Sequence, residues 1–163
     1  MKRSHKFNWI AAAACAGLLL AGCRTEPSAE GTFDKTFTVN GPVRIELTNG
    51  SGDSHVTTGT PGEVRVHGEI QAHGWSEKGS QERVREMEVN PPVSQEGNLI
   101  RIGGSGSHNN SGASIDYTIV VPADAEIHSA TGSGDVEVVG IKGPANFTSG
   151  SGAITAANIT ADV

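Results

Sequence analysis

Cys23 is the residue whose neighbours best suit it for covalent chemistry. It closes Leu20-Ala21-Gly22-Cys23, behind a basic start (Lys2, Arg3, Lys6) and an apolar run from Trp9 to Leu20. The small pair Ala21-Gly22 lets a peptidase reach the bond before Cys23. The thiol is placed to carry a diacylglycerol, and the amine freed by cleavage is placed to take a third chain. Each buried methylene contributes about 0.8 kcal/mol, so several acyl chains hold a protein on a membrane essentially for good. A transmembrane helix needs roughly 20 apolar residues and this run is shorter. An ordinary secretory signal needs no cysteine after its small pair. Residues 1–22 therefore read as a bacterial lipoprotein signal, with Cys23 as the lipidation site. Arg24 stands where an aspartate would mark inner-membrane retention, so the outer membrane is expected in a Gram-negative host.

The remaining reactive side chains form no catalytic or metal set. Gly132-Ser133-Gly134-Asp135-Val136-Glu137 is similar to the glycine-aspartate nonapeptide that holds calcium at the corners of β-rolls. Successive corners here read Asp135, Pro144, Ala153 and Asp162, too few carboxylates for a cation wanting six or more oxygens. The mature histidines are His55, His67, His73, His108 and His128. His67 and His73 can share a strand face, but zinc needs a third ligand and none is apparent. A polysaccharide lyase or hydrolase needs paired acids in a groove. Asp116, Asp124, Glu126, Asp135 and Glu137 are the candidates, and no pairing among them is legible. The expectation is a non-enzyme without cofactor or metal.

Charge narrows the partners. Three of the 12 basic residues lie in residues 1–22, leaving nine against 18 acidic ones and a mature formal charge of −9. Nucleic acid demands a basic patch, so it is excluded as a partner. An anionic membrane surface repels such a chain, which leaves the lipid as the expected attachment. Cys15 departs with the signal and Cys23 is acylated, so no disulfide is expected.

The elements that position these residues are short strands. Arg24 to Thr32 is polar and aperiodic, a tether over residues 23–32. Val43, Ile45 and Leu47 alternate with charged residues, as do Val64, Val66, Gly68 and Ile70, and then Ile115, Tyr117, Ile119 and Val121. Ser76 to Glu88 is rich in helix formers, with a thin stripe of Val84, Met87 and Glu88, and Asn90-Pro91-Pro92 stops it. One short surface helix is expected there. Gly103 to Gly112 reads as a hairpin tip between two strands.

The last third repeats. Gly134, Gly143, Gly152 and Ala161 recur every nine residues, and Ser133-Gly134-Asp135 returns as Ser151-Gly152-Ala153 after eighteen. The pairs Val136/Val138, Ala145/Phe147 and Ile154/Ala156 fall at matching places. Such a register predicts strands joined by small-residue corners, two to a flattened coil, with coils stacked in parallel. Val136, Val138, Phe147 and Ile154 are expected inside, with Glu137, Asn146 and Thr155 outside. Upstream, Asn49-Gly50-Ser51-Gly52-Asp53 echoes Thr131–Asp135, and Gly41–Ile45 echoes Gly143–Phe147.

Tyr117-Thr118-Ile119-Val120-Val121-Pro122, Thr131–Val136 and Thr148–Gly152 together resemble the putative-adhesin family of unknown function 4097 (DUF4097), over roughly Phe33 to Val163. The resemblance implies a β-helix-like domain on exported or envelope-associated bacterial proteins, without an assigned activity. The expected organisation is signal 1–22, lipidated tether 23–32 and an all-β, parallel β-solenoid domain over 33–163. That domain stops at Asp162-Val163 in mid-repeat, so a continuation of the gene is expected. The expected function is adhesion, binding or scaffolding at the envelope, toward a glycan or an envelope protein. The alternatives are a polysaccharide-acting enzyme and an envelope-stress regulatory partner. If Cys23 is the lipid site, labelled palmitate enters the wild-type protein, and Cys23→Ser abolishes both labelling and membrane association. A labelled Cys23→Ser protein would contradict the assignment.

Overall fold

Alternation along the chain becomes two β-sheets whose apolar faces share one core. The computed structural model describes residues 28–104 and 112–160. The signal, Cys23, His108, Asp162 and Val163 lie outside the described residues. In chain order the elements are β1 (Ser28–Thr38), β2 (Arg44–Ser51), β3 (Ser54–Thr58), β4 (Glu63–His73), α1 (Glu77–Val89), β5 (Val93–Glu96), β6 (Leu99–Gly103), β7 (Ala113–Val121), β8 (Glu126–Ser133), β9 (Val136–Val139), β10 (Ala145–Ser151) and β11 (Ile154–Ala157). One sheet runs β1-β4-β7-β3-β9-β11 and the other β10-β8-β2-β6-β5. Ile45, Leu47, Ile100, Ile102 and Ile127 of the second sheet are fully buried with Val56, Val64, Val66 and Ile119 of the first.

The nine-residue register takes the chain from one sheet to the other at each half-repeat. β8 and β10 lie in the five-stranded sheet, β9 and β11 in the six-stranded one. Ile127 pairs with Ala145 and Val136 with Ile154, both in parallel. The β2–β3 segment stacks on β8–β9 in the same manner, with Ile45 opposite Ile127 and Val56 opposite Val138. The echo at Asn49–Asp53 is thus a true rung-for-rung match to Thr131–Asp135. The echo at Gly41–Ile45 is shifted by two residues, because Ile45 rather than Val43 stands level with Ala145. A shift of two keeps every side chain on its own face, so alternation alone does not detect it.

Four expectations are corrected. The sheets are mixed rather than wholly parallel, since β1-β4-β7 and β5-β6 pair antiparallel. β1 and β4 are 11 residues each, longer than a nine-residue half-repeat can hold, and they form extended arms instead. Residues 28–32, read as tether, are the first half of β1, paired from Ser28 opposite His73 to Thr32 opposite Glu69. β6 and β7 are not the two arms of a hairpin. β6 pairs with β2 and β5, while β7 pairs with β4 and β3 in the opposite sheet. Finally, Ile154 is exposed and Phe147 only half-buried. β11 and β10 are the edge strands of their sheets, and an inward side chain is covered only when a further coil lies over it.

The helix forms where composition placed it. Ser76 caps it by accepting a hydrogen bond from the Gly79 N–H, and the Asn90 N–H closes its end on the Glu86 carbonyl. Val84 and Met87 are buried as expected, whereas Glu88 is exposed and accepts from the Thr32 N–H. On the β4 rung below, Phe33 and Tyr117 both stand opposite Gly68. Their rings meet edge to face at 6.3 Å, and a Cβ on Gly68 would come within 2.4 Å of Phe33.

The stacked segments are tied together where the chain passes from one sheet to the other. The Asp53 N–H donates to Asp116 Oδ1, the Asp135 N–H to Asp53 Oδ1 and the Ala153 N–H to Asp135 Oδ1, each at 2.8 Å. Just before each donor stands a glycine at positive φ (Gly52, Gly134, Gly152), packed against the backbone of Ile115, Gly52 and Gly134 in turn. A Cβ on Gly134 would lie 2.2 Å from the Gly52 carbonyl oxygen, and its φ is 130°. Gly134→Ala is therefore expected to destabilise the fold by about 1–3 kcal/mol. The urea midpoint reads the change, and an unchanged midpoint would contradict the corner geometry.

Candidate functional site

Strand period two sends Arg44, Glu46 and Thr48 of β2 to the outer face of the five-stranded sheet. Parallel in-register pairing then sets Glu126, His128 and Ala130 of β8 beside them, with Asn146 and Thr148 of β10 beyond. On the other flank, Arg101 of β6 stands opposite Glu46. The side chains around Thr48, Ala130 and Thr148 are small, and a shallow depression of about 330 Å³ opens over them, walled by Arg44, Glu46 and His128.

Charges on this face neutralise one another. Arg44 Nη2 lies 2.5 Å from Glu126 Oε1, and His128 Nε2 lies 2.8 Å from the same oxygen. Arg101 spans two acids, with Nε 3.1 Å from Glu46 Oε2 and Nη1 2.7 Å from Glu96 Oε2. Hydrogen bonds from Arg44 and then His128 hold the Glu126 carboxyl down to about 2, well below the usual carboxylate range. These pairs are substantially exposed, so they orient the face more than they stabilise it. What remains for a ligand is a neutral strip of threonine, alanine and asparagine.

The six-stranded sheet carries a different rung on its outer face. Asp34, His67, Thr118, His55, Glu137 and Thr155 stand level across the sheet. His67 Nδ1 is 2.8 Å from Asp34 Oδ1, and His55 Nδ1 is 3.1 Å from Glu137 Oε2. His67 and His73 do share a face of β4, but six residues apart they are separated by about 20 Å of strand. Among the described residues, no three of His, Cys, Asp and Glu gather to hold a metal.

The acids singled out in the sequence are dispersed. Asp116 and Asp135 spend one oxygen each on corner amides. Glu137 lies on the outer face of the six-stranded sheet, and Glu126 on the outer face of the five-stranded one. Asp124 is exposed in the turn before β8. Sequence reasoning missed the Arg44–Glu126–His128 and Glu96–Arg101–Glu46 groups. Their signal was present as the charged residues of each alternating run, but which strands are neighbours decides the pairing. Asp53 was seen as part of an echo and not as a link between coils.

No protein-family model matches the chain, and no curated protein matches it. Among solved structures, the chain is similar to one described as a putative cell adhesion protein from Clostridium sporogenes, at 16% identity and a TM-score of 0.52, over 76% of this chain. The match spans 59% of that structure's length. A putative adhesin from Bacteroides fragilis is also similar, at 13% identity and a TM-score of 0.31, over 83% of this chain and 74% of that one. At such identity the first likeness shows the fold alone.

Glu126 supplies a test of the charge arrangement. Its carboxyl is held lower in the folded chain than in the unfolded chain, so its contribution is complete above the ordinary value of 4.5. That contribution is lost as the pH falls through about 2, because the unfolded chain takes up the proton first. Glu126→Gln is expected to flatten this part of the acid-stability profile, read from urea midpoints between those pH values. A variant profile parallel to the wild type would contradict the assignment.

Proposed function

We propose that this chain is a non-catalytic, lipid-anchored protein of the bacterial envelope that binds extended, uncharged glycan on the outer face of its five-stranded sheet. In this reading β2–β3, β8–β9 and β10–β11 are successive coils of a two-sided β-solenoid of the DUF4097 kind, closed against the antiparallel arms of β1 and β4. Cys23 carries the lipid, the outer membrane is the expected location in a Gram-negative host, and adhesion is the expected role.

The observation that carries the reading is the neutral ladder of Thr48, Ala130 and Thr148 with Asn146, flooring a depression whose charges are already satisfied. Rungs repeat about every 4.8 Å. The hydroxyls of Thr48 and Thr148 therefore stand about 10 Å apart across Ala130, with the Asn146 amide beside them, a spacing that suits weak contacts to successive sugar units. A cation-seeking or anion-seeking ligand gains little from a face where Arg44, Arg101, Glu46 and Glu126 are mutually paired. The dispersal of the acids over both faces and the corner supports a binding role over polysaccharide cleavage.

A glycan array probed with the mature chain bearing Cys23→Ser, clustered on beads, tests the proposal. Neutral polysaccharides should be retained, and Asn146→Ala with Thr148→Ala should weaken retention about tenfold, the equivalent of one or two hydrogen bonds. Undiminished binding by the double variant would move the site elsewhere. Degradation of the polysaccharide would favour the enzyme, and capture of an envelope protein alone would favour a regulatory partner.

A further inference from the structure

Trp75 has a relative accessibility of 106%, the highest of any large apolar side chain described. It stands between the end of β4 and the Ser76 cap of α1. The edge of the fold where it protrudes is the one at which the chain enters, because His73 pairs with Ser28, the first residue of β1. Five Cα steps separate Ser28 from Cys23, a reach of at most about 18 Å. A lipid on Cys23 therefore holds this end of the domain against the headgroup layer. Most surface groups of so acidic a chain have nothing to gain there, since charge repels them from anionic lipid. An indole is the exception, being uncharged, amphipathic and favoured at the membrane–water boundary.

We propose that Trp75 inserts into the interfacial layer of the membrane that bears the Cys23 lipid, giving the domain a second, uncharged contact that fixes its orientation. The inference rests on the lipid-anchor reading above. With two points of attachment, the β1/β4 end faces the membrane and β1 rises away from it. A single flexible attachment would leave the binding face free to tumble.

Trp9 leaves with the signal, so Trp75 is the sole tryptophan of the mature chain and its fluorescence reports on this contact alone. The acylated protein, reconstituted into phosphatidylethanolamine–phosphatidylglycerol vesicles, is compared with Cys23→Ser protein in buffer. The expected result is a blue-shifted emission, quenching by brominated acyl chains and a several-fold fall in acrylamide quenching. Hydrogen exchange over residues 74–78 should slow on the vesicles and recover in acylated Trp75→Ser. An acylated wild-type protein whose Trp75 emits and quenches as in buffer overturns the inference while leaving the anchor intact. So does an emission shift produced by polysaccharide and not by vesicles. Absence of palmitate on Cys23 is read separately, and it overturns the anchor and the inference together.

Discussion

A corner carboxylate that accepts the backbone N–H of the next coil is the constraint on which the stack depends. At each turn from one sheet to the other the backbone ladder carries Gly52, Ser54, Gly134 and Val136 but leaves out the amides of Asp53, Asp135 and Ala153. Asp116, within β7, and Asp53 and Asp135, at the corners after β2 and β8, close that gap by reaching onto the neighbouring segment. Gly52, Gly134 and Gly152, which precede the donors Asp53, Asp135 and Ala153, remove the Cβ that would hold neighbouring segments apart. Three carboxylates in a column repel one another, but they stand partly or fully in solvent, where such repulsion is screened. The column ends at Ala153, whose N–H is received but which offers no carboxylate of its own.

Everything on the outer faces inherits this register. Asn49 stands level with Thr131, Ile45 with Ile127 and Glu46 with His128. A slip of one residue would send Glu46 into the core and Leu47 into solvent. The same stacking has a cost inside. Asn49 satisfies its amide on the Gly52 and Ile115 carbonyls, whereas the buried hydroxyls of Thr131 and Ser149 on the same rung have no partner among the described residues. A threonine and a serine are too short to make the bonds that the asparagine makes.

Local chemistry was legible in the sequence wherever a residue type dictates one backbone state. The Ser-Gly-Asp corners and the Asn90-Pro91-Pro92 stop are of this kind, and so is the eighteen-residue offset of the repeat. Among distant strands, only the stacking of β2–β3 on β8–β9 was legible, through the echo of Thr131–Asp135 at Asn49–Asp53. Alternation says which residues of β6 and β7 face inward, yet both a hairpin and a crossing between sheets satisfy it. Length was the neglected signal in β1 and β4, whose apolar positions run on past any nine-residue corner. At the candidate site, the outward positions of Arg44, Glu126 and His128 followed from alternation. Their convergence follows from the 82-residue register between β2 and β8, the offset already carried by the Asn49–Asp53 echo but not extended to these charged positions.

Native-state hydrogen exchange at the corner amides tests the central claim most directly. Asp53, Asp135 and Ala153 lie at exposed or solvent-facing turns, where an unbonded N–H exchanges nearly as fast as in a free peptide. If the carboxylate column holds the coils, the N–H groups of Asp53 and Asp135 are as protected as those of the flanking strands, and Ala153 is protected above its exposed neighbours. Exchange of the Asp53 and Asp135 amides at free-peptide rates, with β2, β3, β8 and β9 still protected, would contradict it.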